Sequence, residues 1–172
     1  TGDLTINDEE TVTFDSSSFD LDIRGDIATT DATSVVLTGS NLIRLGTDTS
    51  KEFSSVKIAT LDASGVTGTE AVSVFAINNT SAMTVTGPAS TGKFTFDGGT
   101  KADTITAGGG IMDVDAGAGD DTITGGAKAD IIQGDGGADT ITGGAAADYI
   151  EGGAGRDVID LTEATAASDE VE

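Results

Sequence analysis

Apolar and polar residues alternate along this chain in short runs. In the first 97 residues the runs are Leu4–Ile6, Thr11–Phe14, Phe19–Ile23, Val35–Leu37, Leu42–Leu45, Val56–Leu61, Val72–Ile77, Met83–Thr86 and Phe94–Phe96, separated by Gly, Ser, Thr, Asn and Asp. Runs of this kind between such breakers read as strands and turns. Apolar residues do not recur at three-and-four spacing over any useful length, so no helix is expected beyond a short turn at Lys51–Ser55. Strand centres fall near Val36, Ile58, Val74 and Thr95, about 16 to 22 residues apart, and a second series near Ile43, Leu61, Val85 and Ile105 is similarly spaced. Two strands per coil of about 18 to 20 residues would give both series. Residues 1–97 therefore read as an irregular β-solenoid or β-rich domain, with a small antiparallel sandwich as the competing topology.

From Gly98 the pattern locks into a nine-residue phase. Seven contiguous nonapeptides, GGTKADTIT, AGGGIMDVD, AGAGDDTIT, GGAKADIIQ, GDGGADTIT, GGAAADYIE and GGAGRDVID, run from Gly98 to Asp160. The eighth position is always aliphatic, and the sixth is Asp in all but the second repeat, which has Met112. The six Gly-rich residues suit a tight turn with carbonyls pointing inward. The last three form a short strand whose middle side chain faces away from its two neighbours, so the eighth-position side chains point inward and stack. Two repeats complete a coil, and neighbouring coils lie ~4.8 Å apart. Odd-numbered turns line one edge and even-numbered turns the other. Residues 98–160 are thus expected to form a parallel β-roll, and residues 161–172 to begin a closing segment.

Composition sharpens this picture. The 172 residues carry a formal charge of -22, with 25 Gly, no Cys, no His, no Trp and 4% aromatics. A conventional core uses more large apolar side chains, so a stack of small coils around a thin core fits better. The acidity argues against nucleic acid, which needs clustered Lys and Arg, and against an anionic membrane surface. No apolar run approaches the ~18 residues of a membrane span, so no membrane insertion is expected. No signal peptide is visible, and the chain begins at Thr1 rather than Met, so it is expected to be a piece of something longer. Carboxylates one coil apart repel one another, and a thin core does little to offset that. A hard divalent cation reverses the sign. Ca²⁺ takes six to eight oxygen ligands, which carboxylates and backbone carbonyls supply, whereas Mg²⁺ prefers a tighter octahedron and a transition metal would recruit His or Cys.

The repeats match GGxGxDxUx, with U a large aliphatic, and so resemble the nonapeptides of the RTX (repeats-in-toxin, haemolysin-type) calcium-binding family over Gly98–Asp160. That resemblance implies a right-handed parallel β-roll with each Ca²⁺ between turns two repeats apart. Carried onto this chain, it pairs Asp103 with Asp121, Asp121 with Asp139 and Asp139 with Asp157 on one edge, and Asp130 with Asp148 on the other. Backbone ligands would come from the turns at Gly98, Gly99, Gly117, Gly119, Gly125, Gly126, Gly134, Gly136, Gly137, Gly143, Gly144, Gly152, Gly153 and Gly155. The Met112–Asp130 pair departs from the pattern and leaves a weak or absent site unless Asp113 substitutes. Lys101 and Lys128 stand at a usual Gly position, where their backbones are less comfortable. For Asp113, Asp115, Asp120, Asp135 and Asp160, outside the sixth position, a solvated surface is the better reading.

The segment LDASGVTGTEAVSVFAINNTSAMTVTG, followed by FDGGTKADTIT, looks like the solenoid body of RTX-type bacterial surface-layer proteins, and DVIDLTEATAASDEVE looks like the segment after their repeats. This implies type I secretion to the cell surface and self-assembly into a lattice. A cell-surface polysaccharide would be held through regions outside this chain, whose end comes too soon for a whole type I signal. The alternatives are a module of an RTX adhesin or biofilm matrix protein, or the calcium foldase tail of a secreted hydrolase. Catalysis finds no support, since without His or Cys there is no His-based triad, zincin motif or thiol nucleophile.

Two features stand apart. Thr104/Thr106, Thr122/Thr124 and Thr140/Thr142 all belong to odd repeats and would form a ladder on one face, resembling those of ice-binding solenoids; the plainer reading is that Thr suits exposed strand positions. The acidic stretch of Asp3, Asp8, Glu9, Glu10, Asp15, Asp20, Asp22 and Asp26 has no EF-hand spacing and reads as surface charge, with further Ca²⁺ binding as the alternative.

Overall fold

The computed structural model describes residues 4–6, 11–23, 27–29, 32–45, 57–161 and 170–172. The expected helical turn at Lys51–Ser55 lies outside the described residues, as do Asp3, Asp8, Glu9, Glu10, Asp26 and residues 162–169.

Among the described residues there is no helix, and every strand pair is parallel. The chain winds as a β-solenoid between two eight-stranded sheets. The first sheet takes Thr11–Ser16, Ser34–Gly39, Thr60–Val66, Thr84–Thr86, Thr104–Thr106, Thr122–Thr124, Thr140–Thr142 and Val158–Asp160 in order. The second takes Leu21–Ile23, Ile43–Leu45, Val72–Phe75, Phe94–Asp97, Met112–Asp115, Ile131–Gln133, Tyr149–Glu151 and Glu170–Val171. Both sheets run through the junction at Gly98, so the nonapeptide coils stack directly on the irregular ones.

In the repeats the phase sets the register. Ile105, Ile123, Ile141 and Ile159 are paired in one inward column, and Val114, Ile132 and Ile150 in the other. The first half departs from the expected coil of about 18 to 20 residues: Ser34 pairs with Thr60 and Ile43 with Val72, so its coils are longer and its corners less regular. The run Val56–Leu61 is not one strand. Ile58 is buried before the strand, which starts at Thr60 and continues to Val66 past a register shift opposite Val36–Thr38. There a Cβ on Gly65 would press on Thr38 Cγ2 at 2.9 Å. The strand Ile27–Thr29, paired with Leu4–Ile6, has no counterpart among the sequence runs.

The core changes character along the stack. Early strands bury two inward side chains each, such as Val35 with Leu37, Ile43 with Leu45, Val72 with Val74 and Phe94 with Phe96. In the last of these layers Met112 still pairs with Phe94. One coil later that inward column is Asp130 and then Asp148, both buried. The first sheet makes the same switch after Met83, where the column becomes Asp103, Asp121 and Asp139. A buried large aliphatic side chain contributes about 1.5–3 kcal/mol, whereas an uncompensated buried carboxylate costs energy. The repeats have therefore replaced half of their inward apolar positions with charge.

Candidate metal centre

Each sixth-position carboxylate reaches back one coil. Its Oδ1 accepts the backbone N–H of the residue at the same place in the preceding turn of its edge. On the odd edge Asp121 Oδ1 takes Asp103 N–H at 2.6 Å, Asp139 takes Asp121 N–H at 2.8 Å, and Asp157 takes Asp139 N–H at 3.0 Å. On the even edge Asp148 takes Asp130 N–H at 2.8 Å and Asp130 takes Met112 N–H at 2.7 Å. These bonds link each of the expected pairs.

The second oxygens are the informative ones. Oδ2 of Asp103, Asp121 and Asp139 is buried and has no hydrogen-bond partner. Buried polar atoms are nearly always paired, so three orphaned acceptors at repeating positions of one edge suit a bound cation. Asp130 differs, because its Oδ2 accepts Gly126 N–H at 2.8 Å. From the fourth repeat onward the first repeat position is glycine and leaves space beside the Asp Oδ2, whereas Ala116 holds that position before Asp121. A Cβ on Gly134, Gly143 or Gly152 would lie 2.5, 2.6 or 2.7 Å from Oδ2 of Asp139, Asp148 or Asp157, and one on Gly125 would lie 3.0 Å from Asp130 Oδ2.

The turns stack with their backbones in contact. A Cβ on Gly98, Gly99, Gly117, Gly126, Gly137, Gly144, Gly153 or Gly155 would meet a carbonyl oxygen of the adjacent coil, and one on Gly119 would meet the Lys101–Ala102 peptide. Among the described glycines, Gly136 alone has open space at its Cβ. Gly136 and Gly137 pair with Ala154 and Gly155 as a small parallel ladder that joins two odd-edge turns. In the third, fifth, sixth and seventh repeats the second and fourth positions both adopt positive φ, as at Gly153 (91°) and Gly155 (148°). Asp135 (65°) and Ala146 (87°) hold this conformation without being glycine. Lys101 and Lys128 are not among the positive-φ residues, so these lysines do not adopt the strained conformation; their turns follow another path.

Electrostatics agrees with the geometry. Burial pushes the carboxyls of Asp103, Asp130 and Asp139 above their usual range, against the pull of the backbone N–H groups they accept. Asp121 is pushed up to about 6, first by burial and then by Asp103, Asp139 and Asp120. Without a cation these carboxyls hold protons more readily than free ones do; a divalent cation would favour the ionised form.

The other acids are placed elsewhere. Asp113 faces outward and pairs with Lys93, so it does not stand in for the carboxylate missing at Met112. Asp120 Oδ1 accepts Ala138 N–H at 2.8 Å, one coil on. Asp115 is raised to about 6 by burial and by its neighbours Asp135 and Asp97. Sequence reasoning missed Met83, whose N–H donates to Asp103 Oδ1 at 2.8 Å. The two methionines of the chain thus stand at equivalent places, one heading each Asp column. The signal was present in Met83-Thr-Val-Thr, which parallels Asp103-Thr-Ile-Thr.

Among the described residues no three acidic side chains close into a metal cage. Side chains alone therefore do not complete a centre; backbone carbonyls of the stacked turns would supply further oxygens, as Ca²⁺ accepts and transition metals do not favour. The buried free oxygens and the side-chain-free turns fit that ion.

Residues 95–110, 115–146 and 124–159 match the family model of the RTX calcium-binding nonapeptide repeat. No curated protein and no solved structure gives a significant match to the chain. Repeats of this family are typical of secreted proteins, and no helix among the described residues is long and apolar enough to cross a membrane. Over the matched residues the chain is similar to RTX calcium-binding nonapeptide repeats, a structural module whose ion is Ca²⁺, and the fold and the carboxylate columns agree with that likeness.

Proposed function

We propose that this chain is a calcium-dependent structural element of the bacterial cell surface, whose repeats fold when Ca²⁺ fills the two turn stacks. The sites are Asp103 with Asp121, Asp121 with Asp139, Asp139 with Asp157, and Asp130 with Asp148, completed by carbonyls of the glycine-rich turns. The observation that carries this reading is the column of buried Oδ2 atoms of Asp103, Asp121 and Asp139, none of which has a hydrogen-bond partner. Affinity on the order of 10⁻⁴–10⁻³ M, the range of extracellular calcium modules, would keep the repeats unfolded in a low-calcium cytoplasm and fold them outside.

The continuity of both sheets from Thr11 to Asp160 favours one rod-like solenoid over a separate globular domain joined to a tail. A rod with open sheet ends suits an extended assembly such as a surface-layer lattice better than a foldase appended to an enzyme. Circular dichroism in chelator and then in millimolar Ca²⁺ tests the folding step, and electron microscopy of the same samples tests assembly. Ordered sheets or filaments that vanish with chelator are expected. A calcium-loaded chain that stays monomeric would reduce the role to that of an adhesin or matrix module.

A further inference from the structure

The outward faces of the two sheets differ sharply. The second carries Asp97, Asp113, Asp115 and Glu151 among apolar and amide side chains. The first is uncharged over four consecutive strands, Thr84–Thr86, Thr104–Thr106, Thr122–Thr124 and Thr140–Thr142, each presenting two outward threonines that are exposed or half-buried. Pairing is in register throughout, so the threonines form two straight columns. The first column continues with hydroxyl residues through Thr60, Ser34 and Thr11. The second is bounded by Asp62 and Asp160. In a chain of net charge -22, a neutral grid of this regularity requires an account.

What partner gains from it? Without charge it offers nothing to a cation or a polyelectrolyte. It lacks the aromatic rings that sugars stack on. Four strands at ~4.8 Å spacing, with alternate residues roughly 6.6 Å apart, cover only on the order of 200 Å². A protein partner needs ~800 Å² a side and large anchoring side chains. A partner that is itself a two-dimensional lattice is different, because every rung meets the same environment. The two spacings lie close to repeat distances between oxygens in faces of hexagonal ice. Threonine suits such a surface: its χ1 is stiff, its hydroxyl donates and accepts, and its methyl leaves adjacent water to bond only within the ice lattice.

We propose that the threonine face spanning Thr84–Thr142 of the first sheet binds ice. The inference needs the calcium-loaded fold but not a surface-lattice role. The test is thermal hysteresis and ice shaping by nanolitre osmometry in saturating Ca²⁺, with circular dichroism on each sample to report the fold separately. The wild-type chain is expected to facet ice and hold its growth. Thr124→Lys, at the centre of the grid, should lose activity about tenfold, because an ammonium keeps its hydration rather than docking. Thr106→Tyr, a substitution that strands accept, should lose it likewise by breaking the flat surface. Ile131→Lys, on the opposite sheet, should leave activity unchanged. A folded wild-type chain with neither hysteresis nor faceting overturns the proposal, as does full activity in folded Thr124→Lys. An oligomer that Thr124→Lys converts to monomer, with no ice activity in either, would overturn it too and assign the face to a second copy.

Discussion

Asp139→Asn is the most discriminating single substitution, because its effect on stability should change sign with calcium. Asp139 is fully buried, its Oδ1 holds Asp121 N–H at 2.8 Å, and its Oδ2 has no partner. Asparagine keeps the shape and the acceptor but removes the charge. Without calcium, the native carboxylate is disfavoured by burial and by Asp157, Asp120 and Asp135, so the variant should be more stable, by on the order of 1 kcal/mol. With calcium, Asp139 serves the pairs with Asp121 and with Asp157. A site saturated to 100 times its dissociation constant contributes about 2.7 kcal/mol, so the variant should lose at least that much. Circular dichroism in chelator, where the variant should hold more β-structure than the wild type, and urea titration in millimolar Ca²⁺ measure the two limbs, and calorimetric stoichiometry should fall by two ions, against one for Asp103→Asn. A loss of equal size in both conditions would refute the reasoning, because it would make Asp139 a backbone cap rather than a ligand.

Three further outcomes follow from the geometry. Ala146 sits at φ 87°, a conformation that costs an L-residue roughly 1–2 kcal/mol, so Ala146→Gly should stabilise the calcium-loaded chain by about 0.5–1 kcal/mol after the glycine's greater unfolded freedom, read as a rise of about 2 °C in Tm. Protons and calcium should oppose one another. Asp121 and Asp115 are raised from 3.8 to about 6 in the metal-free fold, so that fold binds more protons than the unfolded chain between these values and gains stability as pH falls through 6 towards 4. Dichroism in chelator should therefore show more β-structure at pH 5 than at pH 7, whereas calcium affinity should weaken over the same interval; a chelated chain that loses structure on acidification would contradict the charge account. Gly134→Ala should weaken calcium binding more than Gly136→Ala, because its methyl would enter the space beside Asp139 Oδ2 while Gly136 has open space at that point.

How far the sequence carried the fold depended on whether a physical constraint repeated. In the nonapeptides each coil is bound to the next by the same inward Ile and the same Asp, so one phase specified strands, edges and columns together. Residues before Gly98 lack that constraint. Their coils hold two inward apolar residues per strand and tolerate corners of varying length, which is why Ile58 read as part of a strand and Ile27–Thr29 went unread. The pairing of the Asp residues within each edge was legible, but not the direction in which they are linked. That each carboxylate reaches back towards the N-terminus depends on side-chain geometry that spacing does not encode, and so does the role of Met83. Nor did spacing reveal that the Asp130 column continues an apolar one through Met112, Phe94 and Val72. Buried carboxylates thus take over from apolar side chains at a defined level of one continuous solenoid.

That handover predicts two levels of calcium dependence in a single chain. Hydrogen–deuterium exchange read by mass spectrometry, in chelator and in millimolar Ca²⁺, tests it most directly. Amides from Thr104 to Asp160 should exchange freely in chelator and become protected in calcium, while those of Ser34–Gly39, Val72–Phe75 and Phe94–Asp97 should change much less. Equal protection of the repeats in both conditions would contradict the claim that the buried carboxylate columns require calcium to fold.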